Sequence, residues 1–344
     1  MDTSIYALNV YITHFIPPNR KTFSWIKSFI QLRLNFEYVR SWLRLIKHGT
    51  RGYQPWKKDI MTDARAKEYS KRDDYLFEVI SQLSELKVGE ITINIITNSN
   101  QIKSKFDKIM NSISIKFHVY NDYNKINVIH NSPWNYKNKK SPWLLTWEHK
   151  KLILQDINHA KNNSLFLYLE NDIKFTQNNL EYWLKHKTKL SNTKLIPSFS
   201  LIEYSKNRNE WVSVSEFRAD SINFSDLKSI NIDGKIYLNL NNPYCASYLM
   251  DLNMVKEYSK SAAFNEFESR ALSSWDIGAR SAMGLTFLNV PKNFNSRCVI
   301  PVTLQNGYFE LDENALLHHL PNLYSKVKVI EKKLLPVKKL IINK

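Results

Sequence analysis

Glu170 and Asp172 are the residues whose type and spacing best suit them to chemistry. They close the segment 164–176, SLFLYLENDIKFT, in which the apolar residues 165–169 run without a break into two acids. A run of aromatic and aliphatic side chains that stops on polar ones is the pattern of a strand buried on both faces of a mostly parallel sheet. Ligands of open α/β sheets bind beyond the carboxyl ends of such strands. Two carboxylates one residue apart at that place can hold a divalent cation through oxygen, and the cation can hold a diphosphate. The plainer alternative is that the acids end a strand and cap the next helix, because carboxylates favour helix N-termini. Thr176, directly before QNNLEYWLKH, is a separate candidate for that cap.

The elements that must position these acids read as an α/β layer. Residues 5–13 (IYALNVYIT) predict a first strand, ended by Pro17 and Pro18. Residues 23–48 predict one helix or a broken pair. Their basic face, Lys27, Arg33, Arg40, Arg44 and Lys47 with Trp25, Phe29 and Trp42 between, suits either solvent or an anionic surface. A loop over 49–56 precedes a helix over 63–86. Then come a strand at 90–97 (EITINIIT), a helix at 101–112 and a strand at 115–120, a βαβ rhythm that implies parallel strands. A polar loop at 131–141 and a helix over 144–160 lead into the strand that ends on the acids.

Beyond residue 190 the rhythm changes. Residues 195–204, 210–217, 236–240 and 244–250 are strand-like, with few helices between them; 253–258 and 269–283 read as helical. The expectation is a single domain over 1–325, with a mostly parallel central sheet flanked by helices and a mixed-sheet C-terminal half. A basic, aliphatic tail follows at 326–344, suited to an anionic membrane face or to a loose end.

Composition narrows the classes. The 344 residues are 43% hydrophobic and 13% aromatic, which is globular rather than disordered. With 7 glycines there is neither a GxGxxG nor a GxxxxGK[ST] pattern, so a dinucleotide fingerprint or P-loop is not expected. Cys245 and Cys298 are the only cysteines, which argues against a disulfide framework or CxxC zinc site. The N-terminal residues lack the pattern of a signal peptide, and no stretch approaches a membrane span, so the expected location is cytoplasmic. A net charge of +17 favours anionic partners.

An α/β layer whose fourth strand ends in acid-x-acid, followed by mixed sheet, resembles the glycosyltransferases of the GT-A fold. The segments LLTWEHK at 144–150, LYLENDI at 167–173, WDIGARSAMGLTFLNVP at 275–291 and HHLPNLY at 318–324 are together similar to a group of bacterial glycosyltransferase-like proteins. The resemblance spans residues 90–325. It implies that Glu170 and Asp172 bind Mn²⁺ or Mg²⁺ and the sugar nucleotide. Glu170 departs from the commoner aspartate, and Asp172, as the last acid, is the implied direct ligand. A further ligand near the C-terminus is implied too, and His318 and His319 stand in a suitable place. Adjacent side chains point apart on most backbones, so one of the two at most would serve; both can equally be ordinary histidines closing an apolar stretch.

Transfer with inversion needs a carboxylate to take the acceptor's hydroxyl proton. Asp276, beside Trp275, and failing it Glu268, are the candidates, with Glu266 nearby; an acid at a helix start is also a dipole partner. Arg280 can pair with a diphosphate, or with an acid of the protein itself. Asn242 and Tyr244 are candidates to line an acceptor site. The function expected is therefore a metal-dependent glycosyltransferase. It would move sugar from a nucleotide-sugar donor to a glycan or lipid-linked acceptor, in bacterial surface polysaccharide or lipopolysaccharide synthesis. Its place would be peripheral, on the inner face of the cell membrane. The alternatives are a metal-dependent nuclease or phosphotransferase, or a non-catalytic protein binding nucleic acid or membrane; nucleic acid is the less expected partner.

Overall fold

The computed structural model describes residues 5, 7–15, 71–98, 106, 113–120, 142–218, 227–305, 308–326, 328–337 and 340–341. The chain divides into two units, Met1–Phe15 with Arg72–Lys344, and Ile16–Lys71. All but Lys71 of the second unit lies outside the described residues, and so do the elements expected at 23–48, 49–56 and 131–141. Of the helix expected over 101–112, Phe106 alone is described.

In chain order the first unit runs β1 (Ala7–His14), α1 (Arg72–Ser84), β2 (Glu90–Thr97), β3 (Ser114–Val119), α2 (His149–Ile157), β4 (Ser164–Glu170), β5 (Ile173–Lys174) and α3 (Gln177–Lys189). There follow β6 (Ile196–Pro197), β7 (Ser200–Ser205), β8 (Glu210–Arg218), β9 (Ser229–Ile232), β10 (Lys235–Asn239), β11 (Ser247–Asp251), α4 (Leu252–Ser259) and α5 (Ile277–Ser281). The end is β12 (Cys298–Gln305), β13 (Tyr308–Leu311), β14 (Leu316–His319), α6 (Lys328–Glu331), β15 (Leu334–Pro336) and β16 (Leu340–Ile341).

The strands form three sheets of mixed direction, so the class is mixed α/β. In the first, ordered β11-β4-β1-β2-β3, β4, β1, β2 and β3 are mutually parallel and β11 is antiparallel to β4. Its strands are long apolar runs because both faces are covered: every residue of β4 except Glu170 is buried. The second sheet is ordered β16-β13-β12-β10-β9, with β6 on β12; the third is β15-β8-β7-β14-β5. The expected strand at 195–204 is thus two strands in two sheets, with β6 joining β12 and β7 joining β14. The β9–β10 hairpin turns on Asp233-Gly234, both at positive φ (48° and 75°), the Asp-Gly turn chemistry that matches strand twist. Part of the 326–344 segment is sheet edge: β15 pairs with β8 and β16 with β13. Among the described residues no helix is long and apolar enough to cross a membrane.

The helix expected over 144–160 begins instead as a 3₁₀ stretch, Pro142–Trp147, before α2. Its motif residues serve the core. Trp147 donates its indole N–H to the Ile277 carbonyl, and the Lys150 ammonium lies 3.6 Å from the Trp147 ring centroid, donating to the Ala263 carbonyl. His149 is fully buried; its Nδ1–H donates to the Thr146 carbonyl at 2.5 Å and its Nε2 accepts from the Tyr248 hydroxyl at 2.7 Å. Burial above all, with Lys150 adding, holds its pKa well below the ordinary histidine value.

That neutral histidine makes stability depend on pH with a definite sign. Below about pH 6.5 the unfolded chain takes up a proton on residue 149 that the folded chain refuses, so acid favours unfolding. We expect thermal unfolding measured between pH 7.5 and 5 to show a smaller loss in His149→Gln than in the unaltered protein. An equal loss would refute this account.

Candidate active site at the ends of β1 and β4

The first sheet reverses its strand order at β1, with β2 on one side and β4 on the other. The carboxyl ends of β1 and β4 flank this reversal, the place where ligands enter open α/β sheets. Thr13 pairs in register with Glu170, so His14 and the turn Asn171-Asp172 emerge side by side. Thr176 caps α3 in a reciprocal box with Asn179: its hydroxyl accepts from the Asn179 N–H, and its own N–H donates to the Asn179 side chain at 2.8 Å. The acids are therefore not needed as caps.

Asp172 lies against the third sheet. After it, β5 pairs antiparallel with β14, aligning Ile173 with His319, and β14 pairs on its other side with β7. The Leu320 N–H donates to the Asp172 carbonyl at 2.9 Å and fastens the turn to β14. His319 consequently stands between two carboxylates. Its Nδ1 meets Glu203 Oε1 at 2.5 Å, and its Nε2 lies 3.6 Å from Asp172 Oδ2. Glu203 is fully buried, and its other oxygen accepts the Ser325 N–H at 2.6 Å. His318 faces the other way, as strand alternation requires, packing edge-on against Trp211 with ring centroids 4.9 Å apart. Of the two candidate histidines, only His319 is brought to the acids.

The electrostatics follow from this packing. Burial pulls the His319 pKa down, but Asp172 and Glu203 outweigh it and push it up to about 10. Burial pushes Asp172 up; His319 and the charge of Arg72 override that and hold it below the usual carboxylate range. Glu170 is pushed up to about 7 by burial and by its neighbour Asp172, against a hydrogen bond from Tyr244.

Tyr244 extends the cluster. Its hydroxyl donates to Glu170 Oε1 at 2.7 Å, and its ring meets Trp275 edge-on at 5.3 Å. The Trp275 indole N–H in turn donates to Asn242. A bend at Ala246, which takes φ 53° despite its Cβ, precedes β11, and the Ala246 carbonyl accepts the Glu170 N–H at 3.1 Å. Tyr244 thus touches Glu170 directly, while Trp275 and Asn242 connect to it through Tyr244. Asp276, next to Trp275, is exposed and caps α5, accepting from the Ala279 N–H at 2.8 Å.

Glu268 is exposed in a short 3₁₀ turn. Arg280 is buried and donates to Glu266 Oε1 at 2.8 Å, to the Trp275 carbonyl at 2.8 Å and to Ser269. Sequence reading missed Glu203 and the approach of Arg72. Glu203 carries a weak signal, an acid inside the apolar run SFSLIEY; for Arg72 no local pattern distinguishes it from other arginines.

Among the described residues no group of three or more His, Cys, Asp or Glu is arranged to hold a metal ion. Two observations nevertheless fit an ion shared with a substrate. Asp172 Oδ1 is buried without a hydrogen-bond partner. His319 has its far nitrogen fixed by a carboxylate, the usual support for a ligating histidine. Neighbouring ligands on an ion with bonds of about 2.1 Å stand about 3 Å apart, so the observed pair needs to close by roughly half an ångström. The chain matches no protein-family model and no curated protein.

If Arg280 is structural, Glu266→Ala will leave its buried charge without a carboxylate partner and cost about 3–5 kcal/mol. Denaturant unfolding measures this, and Mn²⁺ uptake by the folded variant should match that of the unaltered protein.

Proposed function

We propose that the protein is a metal-dependent glycosyltransferase of GT-A-like architecture, using a nucleotide-sugar donor. The observation that carries this reading is the meeting of Asp172, His319 and Glu203, from three separate strands or turns, beside the sheet's switch point. Asp172 and His319 would hold Mn²⁺ or Mg²⁺, and Glu203 would keep the His319 Nδ1–H in place so that Nε2 faces the ion. An ion with few protein ligands leaves positions for phosphate oxygens and water, the normal habit of Mg²⁺ in phosphate chemistry. When bound, the ion supplies positive charge to the departing nucleoside diphosphate.

The remaining steps belong to the chain. Glu170, held by Tyr244, lies next to Asp172 and adds negative charge at the cation's side. Trp275 and Tyr244 offer aromatic edges and faces for a sugar ring, with Asn242 as the polar partner. Asp276, exposed at the start of α5, would take the acceptor's hydroxyl proton. A glycan or lipid-linked acceptor at an anionic membrane face agrees with the net charge of +17.

Isothermal titration with UDP-, GDP- and CMP-sugars, with and without Mn²⁺, tests the reading. One base should be preferred, and binding should require the metal. Asp172→Asn should abolish both Mn²⁺ and donor binding. Glu203→Gln, which keeps shape but loses charge, should weaken Mn²⁺ by about 10- to 100-fold, as loss of a ligand's support does. Unchanged Mn²⁺ affinity in Asp172→Asn would overturn the assignment. Cleavage of nucleic acid with no sugar-nucleotide binding would replace it with a nuclease.

A further inference from the structure

Arg280, the cation first considered for a diphosphate, donates to Glu266, Ser269 and Trp275. Arg72, the first residue of α1, is held next to the acids. Its Nη1 donates to the carbonyl of Phe15, the residue after β1, at 3.0 Å. Asp73 Oδ1 lies 3.1 Å from Nε2 of the fully buried His14, and His14 Nδ1 is 2.9 Å from the Asn171 side-chain nitrogen. One tautomer satisfies both contacts: Nε2–H donates to Asp73, and Nδ1 accepts from the Asn171 amide. Asn171 is the residue between Glu170 and Asp172. The first turn of α1 is therefore tied twice to the site, once to the end of β1 and once, through His14, to the turn that carries the acids. The positive charge of Arg72 is felt at both Glu170 and Asp172.

The charge balance calls for such a residue. Among the described residues, the carboxylates of Glu170, Asp172 and Glu203 outnumber the charges of one divalent ion beside a neutral, ligating His319. A diphosphate entering that field is repelled unless a second cation faces it. A half-buried guanidinium, with donors in a fixed fork, matches phosphate oxygens better than an ammonium does.

We infer that Arg72 binds the phosphate oxygens of the ligand held at the Glu170–Asp172 turn, and that the Asp73–His14–Asn171 relay fixes its distance from that turn. This rests on the metal and sugar-nucleotide reading of the same site. Arg72 touches the ligand, and His14 is a positioning residue that acts through Asn171 and Asp73.

The test uses the full chain with two probes, Mn²⁺ alone and inorganic pyrophosphate with saturating Mn²⁺, both by titration calorimetry. Arg72→Gln should bind Mn²⁺ as tightly as the unaltered protein or a few-fold tighter, and pyrophosphate about 10- to 100-fold more weakly. Arg72→Lys should fall between, since it keeps charge and loses the fork. His14→Leu should weaken pyrophosphate, and His14→Gln, which can still bond Asn171, should restore part of it. If Arg72→Gln melts early, Arg72→Met carries the same comparison. Pyrophosphate affinity unchanged in a folded Arg72 variant, with Mn²⁺ still bound, overturns this inference and leaves the metal reading standing. Failure of the unaltered protein to bind Mn²⁺ overturns the metal reading. In that case Arg72 survives only if pyrophosphate binds without metal and Arg72→Gln abolishes it.

Discussion

The cluster at the end of β4 depends on one buried charge arrangement, an imidazole between the carboxylates of Asp172 and Glu203. Taking two acids out of water is costly, and only a close positive partner makes it tolerable. His319 meets that need from β14, the strand lying between β5 and β7. The first and third sheets are joined by this contact and by the Leu320 N–H on the Asp172 carbonyl. The same constraint brings the His319 Nε2 to one oxygen of Asp172 and leaves the other, Oδ1, buried without a hydrogen-bond partner, so the packing of the fold and the proposed chemistry use the same residues.

Around that centre, residues sort by whether their polar groups are already satisfied inside the protein. Arg280 and Glu266 are candidates in the sequence, but each has its partner in the core. Asp172 keeps one oxygen without any, and the Glu170 carboxylate has a single described hydrogen bond, from Tyr244. Buried polar atoms are normally paired, so an orphan at a strand end is the stronger pointer to a ligand. The bend at Ala246 belongs with this, because a non-glycine residue at positive φ costs free energy that the neighbouring contacts must offset. It precedes the strand that pairs with β4, and its carbonyl holds the Glu170 N–H.

Much of the first sheet was legible in the chain. The strands expected at 5–13, 90–97 and 115–120 and the run ending on Glu170 agree with β1, β2, β3 and β4 to within two residues, because doubly buried strands are continuous apolar runs. The cap at Thr176 was equally plain, since capping is a local hydrogen-bond pattern. The later half was harder. Residues 195–204 read as one strand and are two in different sheets, and 269–283 read as a helix but yield a 3₁₀ turn and the five residues of α5. Short strands and turns carry too little periodicity to define their partners, and packing decides them.

What the sequence determined by itself was the acid pair, its place at the end of a buried strand and the presence of two histidines near the other end of the chain. Tertiary structure alone decided between His318 and His319. Strand alternation sends neighbours to opposite faces, and the pairing of β14 with β5 turned the second one toward Asp172. It also brought in Glu203 and Arg72, through contacts with residues distant in sequence, His319 and Ser325 for the first and Phe15 for the second. A local pattern records which groups a segment carries, whereas long-range register fixes which of them meet.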